Sequence, residues 1–194
     1  MRKPILFLDV DGPLNPYAAK PTKRPHGYIT ERMKPDSWIA MHPGKPRSYV
    51  KPLRVWLNPA HGEKLLSLPY ELVWATNWED EANSFIGTVI GLPELPVVRF
   101  DRRPAPWVGM PDRTEMDHSP GPGGTFFKTA QLVRYADGRP FVWVDDDTKD
   151  VDEKWIAANH PGFGKIHHVS PRLGLLDEDF DHLRDVAVRI GDDR

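Results

Sequence analysis

The chain contains no cysteine. Disulfides, thiolate metal sites and a cysteine nucleophile are therefore excluded, and a reducing cytoplasm with no disulfide partner is the expected setting. Long hydrophobic runs are missing as well. None approaches the roughly 20 apolar residues of a membrane span, so no membrane association is expected. The basic start "MRK" is followed by an apolar stretch, "ILFL", that is too short for a secretory signal and runs straight into acids. An excess of charge of either sign is also lacking, since the formal net charge is -2. That balance conceals a division. Residues 16–57 carry nine Lys or Arg against only Glu31 and Asp36, a net +7, which leaves -9 for the remainder.

Proline is what the chain has in excess. Its 21 prolines are roughly twice the usual share, and they cluster at 13–59 and 93–122. Proline removes a backbone donor and fixes φ, so these stretches read as rigid irregular insertions in one domain spanning 1–194. The insertions are a basic flap at about 16–57 and a Pro/Gly-rich loop at about 101–124.

Between the insertions, strands alternate with helices. "ILFLDV" is a short continuous apolar run, the mark of a strand covered on both faces. "LNPAHGEKLLSL" starts as a helix should, with Asn58 as N-cap and Pro59 at the first helical position. "YELVWAT" is the second buried strand. Asn77 is then expected to cap a helix with Glu79, Asp80 and Glu81 in its first turn and Gly91 at its end. "LPVVRF" is a third strand, "FFKTAQLVRYADG" a helix stopped by Gly138, and "FVWV" a fourth strand ending in "DDD". A helix around "VDEKWIAAN", a strand "KIHHVS" and a helix around "DEDFDHLRDVAVRI" follow. The pattern predicts an α/β fold, a doubly wound, mostly parallel sheet with helices on both faces.

In such a sheet, ligands bind outside the carboxyl ends of the strands. Residues just beyond each apolar run therefore share one rim: Asp9 and Asp11, Thr76 and Asn77, then Asp145, Asp146 and Asp147, with Lys128 opening a nearby helix. Carboxylates brought together there repel by about 4 kcal/mol per close pair at an effective dielectric near 20, so the rim calls for a cation. Oxygen-only ligands favour Mg²⁺, which keeps room in its shell for a substrate phosphate. An aspartate nucleophile, a hydroxyl and a lysine around a metal form the set expected for phosphoryl transfer.

"DVDGPLN", "VWATNW", Lys128 in "FFKTAQLV" and "WVDDDTKD" resemble, in that order, the four motifs of haloacid dehalogenase-like (HAD) phosphatases. The resemblance implies a Rossmannoid HAD-like fold with Asp9 as nucleophile and Asp11 as general acid/base. It implies that Thr76 and Lys128 hold the phosphoryl oxygens, with Asn77 beside them. It also implies that Asp145 and Asp146 bind Mg²⁺ together with the Asp9 carboxylate and the Asp11 backbone carbonyl. Family dehalogenases lack the second aspartate of the first motif and its transport ATPases carry threonine there, so Asp11 argues for hydrolysis of a phosphate ester. Pro13 departs from the commoner Thr or Val, and the triple aspartate leaves the direct metal ligand open between Asp145 and Asp146.

Plainer roles compete with each assignment. Asp9 and Asp11 can serve a turn before Gly12, Thr76 an ordinary strand, Lys128 a solvated helix face, and Asp147 and Asp150 the start of a helix. A receiver domain also clusters Asp, Thr and Lys at strand ends, but its order of motifs is absent. The basic flap interleaves its cations with Tyr17, Tyr28, Trp38, Tyr49 and Trp56, a composition that suits phosphates and stacked bases of a nucleic-acid strand. Lys20, Lys23 and Arg24 are its candidate substrate contacts. The pattern "WATNWEDEAN…GLPELPVV…RPFVWVDDD" is similar to HAD domains associated with RNA repair and to polynucleotide 3'-phosphatases, which implies a phosphorylated strand end as partner. The alternatives are a small-molecule phosphatase or nucleotidase, with the flap as a lid, and a non-catalytic nucleic-acid or protein binding module.

The histidines add little. Alternation sends His167 and His168 to opposite faces, His26 and His42 lie in the flap, and His118 shares the second loop with Arg102, Arg103 and Trp107.

Overall fold

The structure, a computed structural model, describes residues 2–101 and 120–192. His118, Arg102, Arg103, Trp107 and most of the Pro/Gly-rich loop lie outside the described residues. In chain order the elements are β1 (Ile5–Leu8), β2 (Ile29–Met33), α1 (Asp36–Ala40), β3 (Leu53–Leu57), α2 (Ala60–Leu66) and β4 (Glu71–Trp74). A π-helical turn (Ala82–Gly87) running into α3 (Thr88–Ile90) follows, then α4 (Thr129–Ala136), β5 (Phe141–Asp145), α5 (Asp150–Asn159), β6 (Gly164–His168) and α6 (Asp177–Asp192).

Four strands form a parallel sheet in the order β4-β1-β5-β6. β1 sits inside it because its side chains are apolar on both faces: Leu6 and Leu8 enter one core cluster, Ile5 and Phe7 the other. The first cluster takes Leu65 of α2, Ile90 of α3 and Phe180, Leu183 and Val186 of α6. The second takes Leu132 and Ala136 of α4 and Ile156 of α5. Helices thus flank the sheet on both faces. Among the described residues, no helix is long and apolar enough to cross a membrane.

Local chemistry explains where elements start. The Asn58 side-chain oxygen accepts the Ala60 N–H at 3.1 Å at the start of α2, although Pro59 rather than Asn58 stands at the cap position. Gly62 lets α2 pack directly on α3, since a Cβ there would stand 1.7 Å from the Ile90 carbonyl oxygen. The helix expected after Asn77 begins only at Ala82, because Glu79 adopts a left-handed conformation (φ 48°) that breaks a helix opening at Asn77. The expected third strand is reduced to a bridge between Val97 and Trp74 at the sheet edge. Pro93 and Pro96 withhold donors from this segment, and only two backbone bonds, Trp74 N–H to Pro96 O and Val98 N–H to Trp74 O, tie it to β4. Asn83 pins the same segment by bonding both backbone polar groups of Leu95.

The basic insertion is more regular than its prolines suggest. β2 and β3 pair antiparallel, with α1 between them, and Met33, Val55 and Leu57 enter the first core cluster. Its inward-facing apolar residues supply a hairpin that proline content alone does not reveal.

Candidate functional site

Parallel pairing places the C-terminal ends of β1, β4 and β5 at one edge, with β1 in the middle. Asp9 follows β1 and Asp145 closes β5, while Lys128 lies immediately before α4. The Lys128 ammonium donates to Asp9 Oδ2 at 2.7 Å and to Asp145 Oδ2 at 2.8 Å, with only 1% of its surface exposed. A lysine so buried survives only when paired. Burial pulls its pKa down, but the Asp145 and Asp9 carboxylates outweigh that and hold it above the ordinary lysine value. The reading of Lys128 as a solvated helix lysine is therefore excluded.

Asp9 also accepts the Val10 N–H at 2.7 Å. Burial, reinforced by the Asp145 and Asp11 charges and opposed by Lys128, pushes its carboxyl up to about 8. Asp145 is wholly buried and receives Trp143 Nε1–H at 3.1 Å and the Asp147 N–H at 2.9 Å in addition to Lys128. Asp146 borders the open space instead, accepts the Tyr17 hydroxyl at 3.0 Å, and is pushed up to about 6, chiefly by burial. Gly12 (φ 93°) fits tightly against Asp146, because a Cβ there would come within 2.3 Å of its carboxylate.

Asp11 is held from two sides. Asn15 Nδ2–H donates to one oxygen at 2.7 Å and Trp78 Nε1–H to the other at 2.9 Å. Burial nonetheless raises its pKa, outweighing both hydrogen bonds. The Asn15 side-chain oxygen accepts the Trp56 N–H of β3 at 3.0 Å, so one amide joins Asp11 to the inserted hairpin.

These groups open into a cavity of about 430 Å³. Asp9, Asp11, Lys128 and Asp146 form its polar floor, and Asn77 contributes to the wall. The insertion supplies much of the rest through Tyr17, Trp38, Met41, Leu53 and Arg54. Serine 37 of α1 is latched to Glu81, beyond β4, by its N–H at 3.1 Å and by its hydroxyl.

Thr76 is at the expected edge but lies beneath the lining, where its hydroxyl accepts the Trp78 N–H at 3.4 Å. Lys20, Lys23 and Arg24 are exposed and do not line the cavity; Arg24 bonds the Thr30 hydroxyl. Asp147 does not cap α5, whose cap position is Lys149, while Asp150 does stand in its first turn. His167 pairs with Asp179 at 2.8 Å, and His42 packs on Trp38, donating Nδ1–H to its carbonyl.

Several site residues escaped the reading by strand ends. Asn15, Tyr17 and Trp78 reach the carboxylates from loops, although Asn15 and Trp78 fall inside the quoted motifs. Asp152 is more remote: buried in α5, it accepts the Phe126 N–H at 2.7 Å, the Thr129 hydroxyl and the Lys149 N–H at 2.9 Å. It thereby fixes the start of α4 and so Lys128.

One oxygen from each of Asp9, Asp145 and Asp146 lies within 4.8 Å of the others, so these three carboxylates can hold a metal ion. An all-oxygen donor set suits a hard cation such as Mg²⁺. No family model, curated protein or solved structure matches this chain.

Proposed function

We propose that the chain is a Mg²⁺-dependent phosphate-monoester hydrolase acting through an aspartyl-phosphate, as its resemblance to HAD phosphatases implies. The observation that carries the reading is the buried Lys128 ammonium clasped by Asp9 and Asp145 at the floor of an open cavity that Asp11 also lines.

In this reading the Asp9 carboxylate attacks phosphorus and the bond to the leaving-group oxygen breaks, while Asp11 delivers a proton to that oxygen. Water then attacks the phosphorus, Asp11 takes its proton, and the bond to Asp9 breaks to release inorganic phosphate. A raised pKa suits Asp11 to the acid half of this cycle, and its bonds from Asn15 and Trp78 aim it. Lys128 opposes the burial that favours a protonated Asp9 and offers positive charge to the phosphoryl oxygens, with Asn77 beside it. Thr76, beneath the lining, is assigned to supporting the turn that carries Trp78. Asp9, Asp146 and the Asp11 carbonyl would hold Mg²⁺, which would supply the positive charge that a phosphate dianion needs among these carboxylates.

Asp146 is the better direct ligand because it faces the cavity, whereas both oxygens of Asp145 already accept protein donors. Asp146→Ala is expected to raise the Mg²⁺ concentration for half-maximal activity more than Asp145→Ala does. A larger shift from Asp145→Ala reverses the assignment.

The +7 insertion favours a phosphorylated nucleic-acid end as substrate. A small-molecule phosphatase is the second reading, favoured by the insertion forming the cavity wall while Lys20, Lys23 and Arg24 stay outside it. The test is hydrolysis of aryl, mononucleotide and 3'-phosphorylated oligonucleotide esters with Mg²⁺ and with excess chelator. Metal-dependent release of phosphate is expected; binding without turnover of any ester points to a non-catalytic module.

A further inference from the structure

The cavity lining is of two kinds. Its floor is ionic and bordered by Trp78 at Asp11 and Phe126 at Lys128, but the insertion lines the cavity with Trp38, Met41 and Leu53, and among the described residues Arg54 is the cation on that side. The polar atom of each indole is already used. Trp38 Nε1–H donates to the Lys51 carbonyl at 2.9 Å and Trp78 Nε1–H to Asp11. Trp38, half-buried, still offers a ligand apolar ring surface, whereas Trp78 is buried in the core. Arg54 differs. Its guanidinium lies 4.0 Å over the Trp56 ring, and its N–H groups hydrogen-bond to no described residue. A polyhydroxylated leaving group finds no hydroxyl partner on Trp38, Met41 or Leu53. A planar ring with an acceptor atom matches this wall.

We propose that the wall formed by Trp38, Met41, Leu53 and Arg54 is a binding site for an aromatic ring carried by the leaving group, so that the preferred substrates are nucleotides, with Arg54 donating to an acceptor on the base. The proposal rests on the phosphatase reading for the placement of the phosphate at Asp9 and Lys128. Two sources share this chemistry, a free mononucleotide and the terminal nucleotide of a strand.

Calorimetric titration of Asp9→Asn protein with Mg²⁺ separates binding from turnover. Adenosine 3'-monophosphate is expected to bind at least tenfold more tightly than ribose 5-phosphate. Trp38→Ala on the same background should bring the two affinities together, and Trp38→Phe, which keeps a ring, should restore most of the difference. Equal affinities overturn the ring site, as does a preference that survives both Trp38→Ala and Arg54→Ala. If the preference is present but wild-type protein hydrolyses no phosphate ester, the phosphatase reading falls and the ring site stands. An oligonucleotide ending in the same 3'-phosphorylated adenosine assigns the source: tighter binding than the mononucleotide supports a strand end, weaker binding a free nucleotide.

Discussion

Lys128 and His61 are buried basic side chains with opposite fates. Lys128 meets two carboxylates and stays charged, whereas His61 sits among apolar rings, against Tyr28 and Phe180, and its Nδ1 has no partner among the described residues. Burial, helped by Lys64 and opposed by Asp177 and Asp179, lowers the His61 pKa to about 4. A base with a depressed folded-state pKa stabilises the fold fully above its unfolded value of 6.5 and loses that contribution as pH falls toward 4. The loss is about 3 kcal/mol at about 1.4 kcal/mol per pKa unit. Denaturant unfolding of wild type and His61→Phe at pH 7 and pH 4 checks this. Wild type should lose about 3 kcal/mol more than the variant between the two; an equal loss in both shows that His61 does not titrate on unfolding. Neither the burial of His61 nor the triangle around Lys128 follows from composition. Asp9, Asp11, Asp145 and Asp146 were nevertheless legible, because each ends an apolar run and parallel strands bring such ends together. Asn15, Tyr17, Trp78 and Asp152 were not, because their roles come from side chains meeting across 41 residues (Asn15 to Trp56), 129 (Tyr17 to Asp146), 67 (Trp78 to Asp11) or 23 (Thr129 to Asp152).

At the scale of elements, one hydrogen-bonded link between the inserted hairpin and the end of β1 passes through Asn15. Replacing it with Ala removes a hydrogen bond that lowers the Asp11 pKa and strands the buried Trp56 N–H. The stability cost is about 1–3 kcal/mol for an unsatisfied buried donor. If Asp11 is the general acid proposed above, it must be protonated to act, and a further rise in its pKa should move the alkaline limb of the kcat profile for a poor leaving group to higher pH. An unmoved limb with reduced stability would leave Asn15 a structural residue only. The latch from Ser37 to Glu81 makes a companion case. Glu81→Ala should loosen α1 and raise KM more than it lowers kcat, and unchanged constants would show that α1 holds its place without it. Local propensity described the hairpin poorly. Its prolines suggested irregular loops, yet Met33, Val55 and Leu57 point into the core, and burial of that face overrides the punctuation. The converse happened at "LPVVRF", where an apolar, β-branched run was held to one bridge by two prolines, and after Asn77, where Glu79 turned the chain before a helix could start.

Across the whole molecule, a +7 insertion lies over a body of net -9. The acidic rim would repel a polyanion, so a strand reaching Asp9 needs the insertion's cations along its path. If about three phosphates are neutralised there, raising salt from about 50 to 200 mM should weaken oligonucleotide binding roughly tenfold to twentyfold. The Lys20, Lys23 and Arg24 triple Ala variant should flatten that slope without altering hydrolysis of an aryl phosphate. A slope that does not change makes the three residues solvated bystanders and favours the small-molecule reading. The charge division and the α/β architecture could be read from the sequence, since both follow from residue type and period. The cavity could not, because it exists only where hairpin, α1 and strand ends meet.

The central claim, that Asp9 becomes phosphorylated during turnover, has one direct measurement. Asp11→Asn protein should form the aspartyl-phosphate with an aryl phosphate, whose leaving group needs no proton, yet hydrolyse it slowly. Acid quenching followed by peptide mass spectrometry is expected to find one phosphoryl group on the peptide that contains Asp9, and none in the Asp9→Asn/Asp11→Asn double variant. Phosphate release by wild type together with an unmodified Asp9 peptide in quenched Asp11→Asn protein, or a phosphoryl group on another residue, would contradict the account.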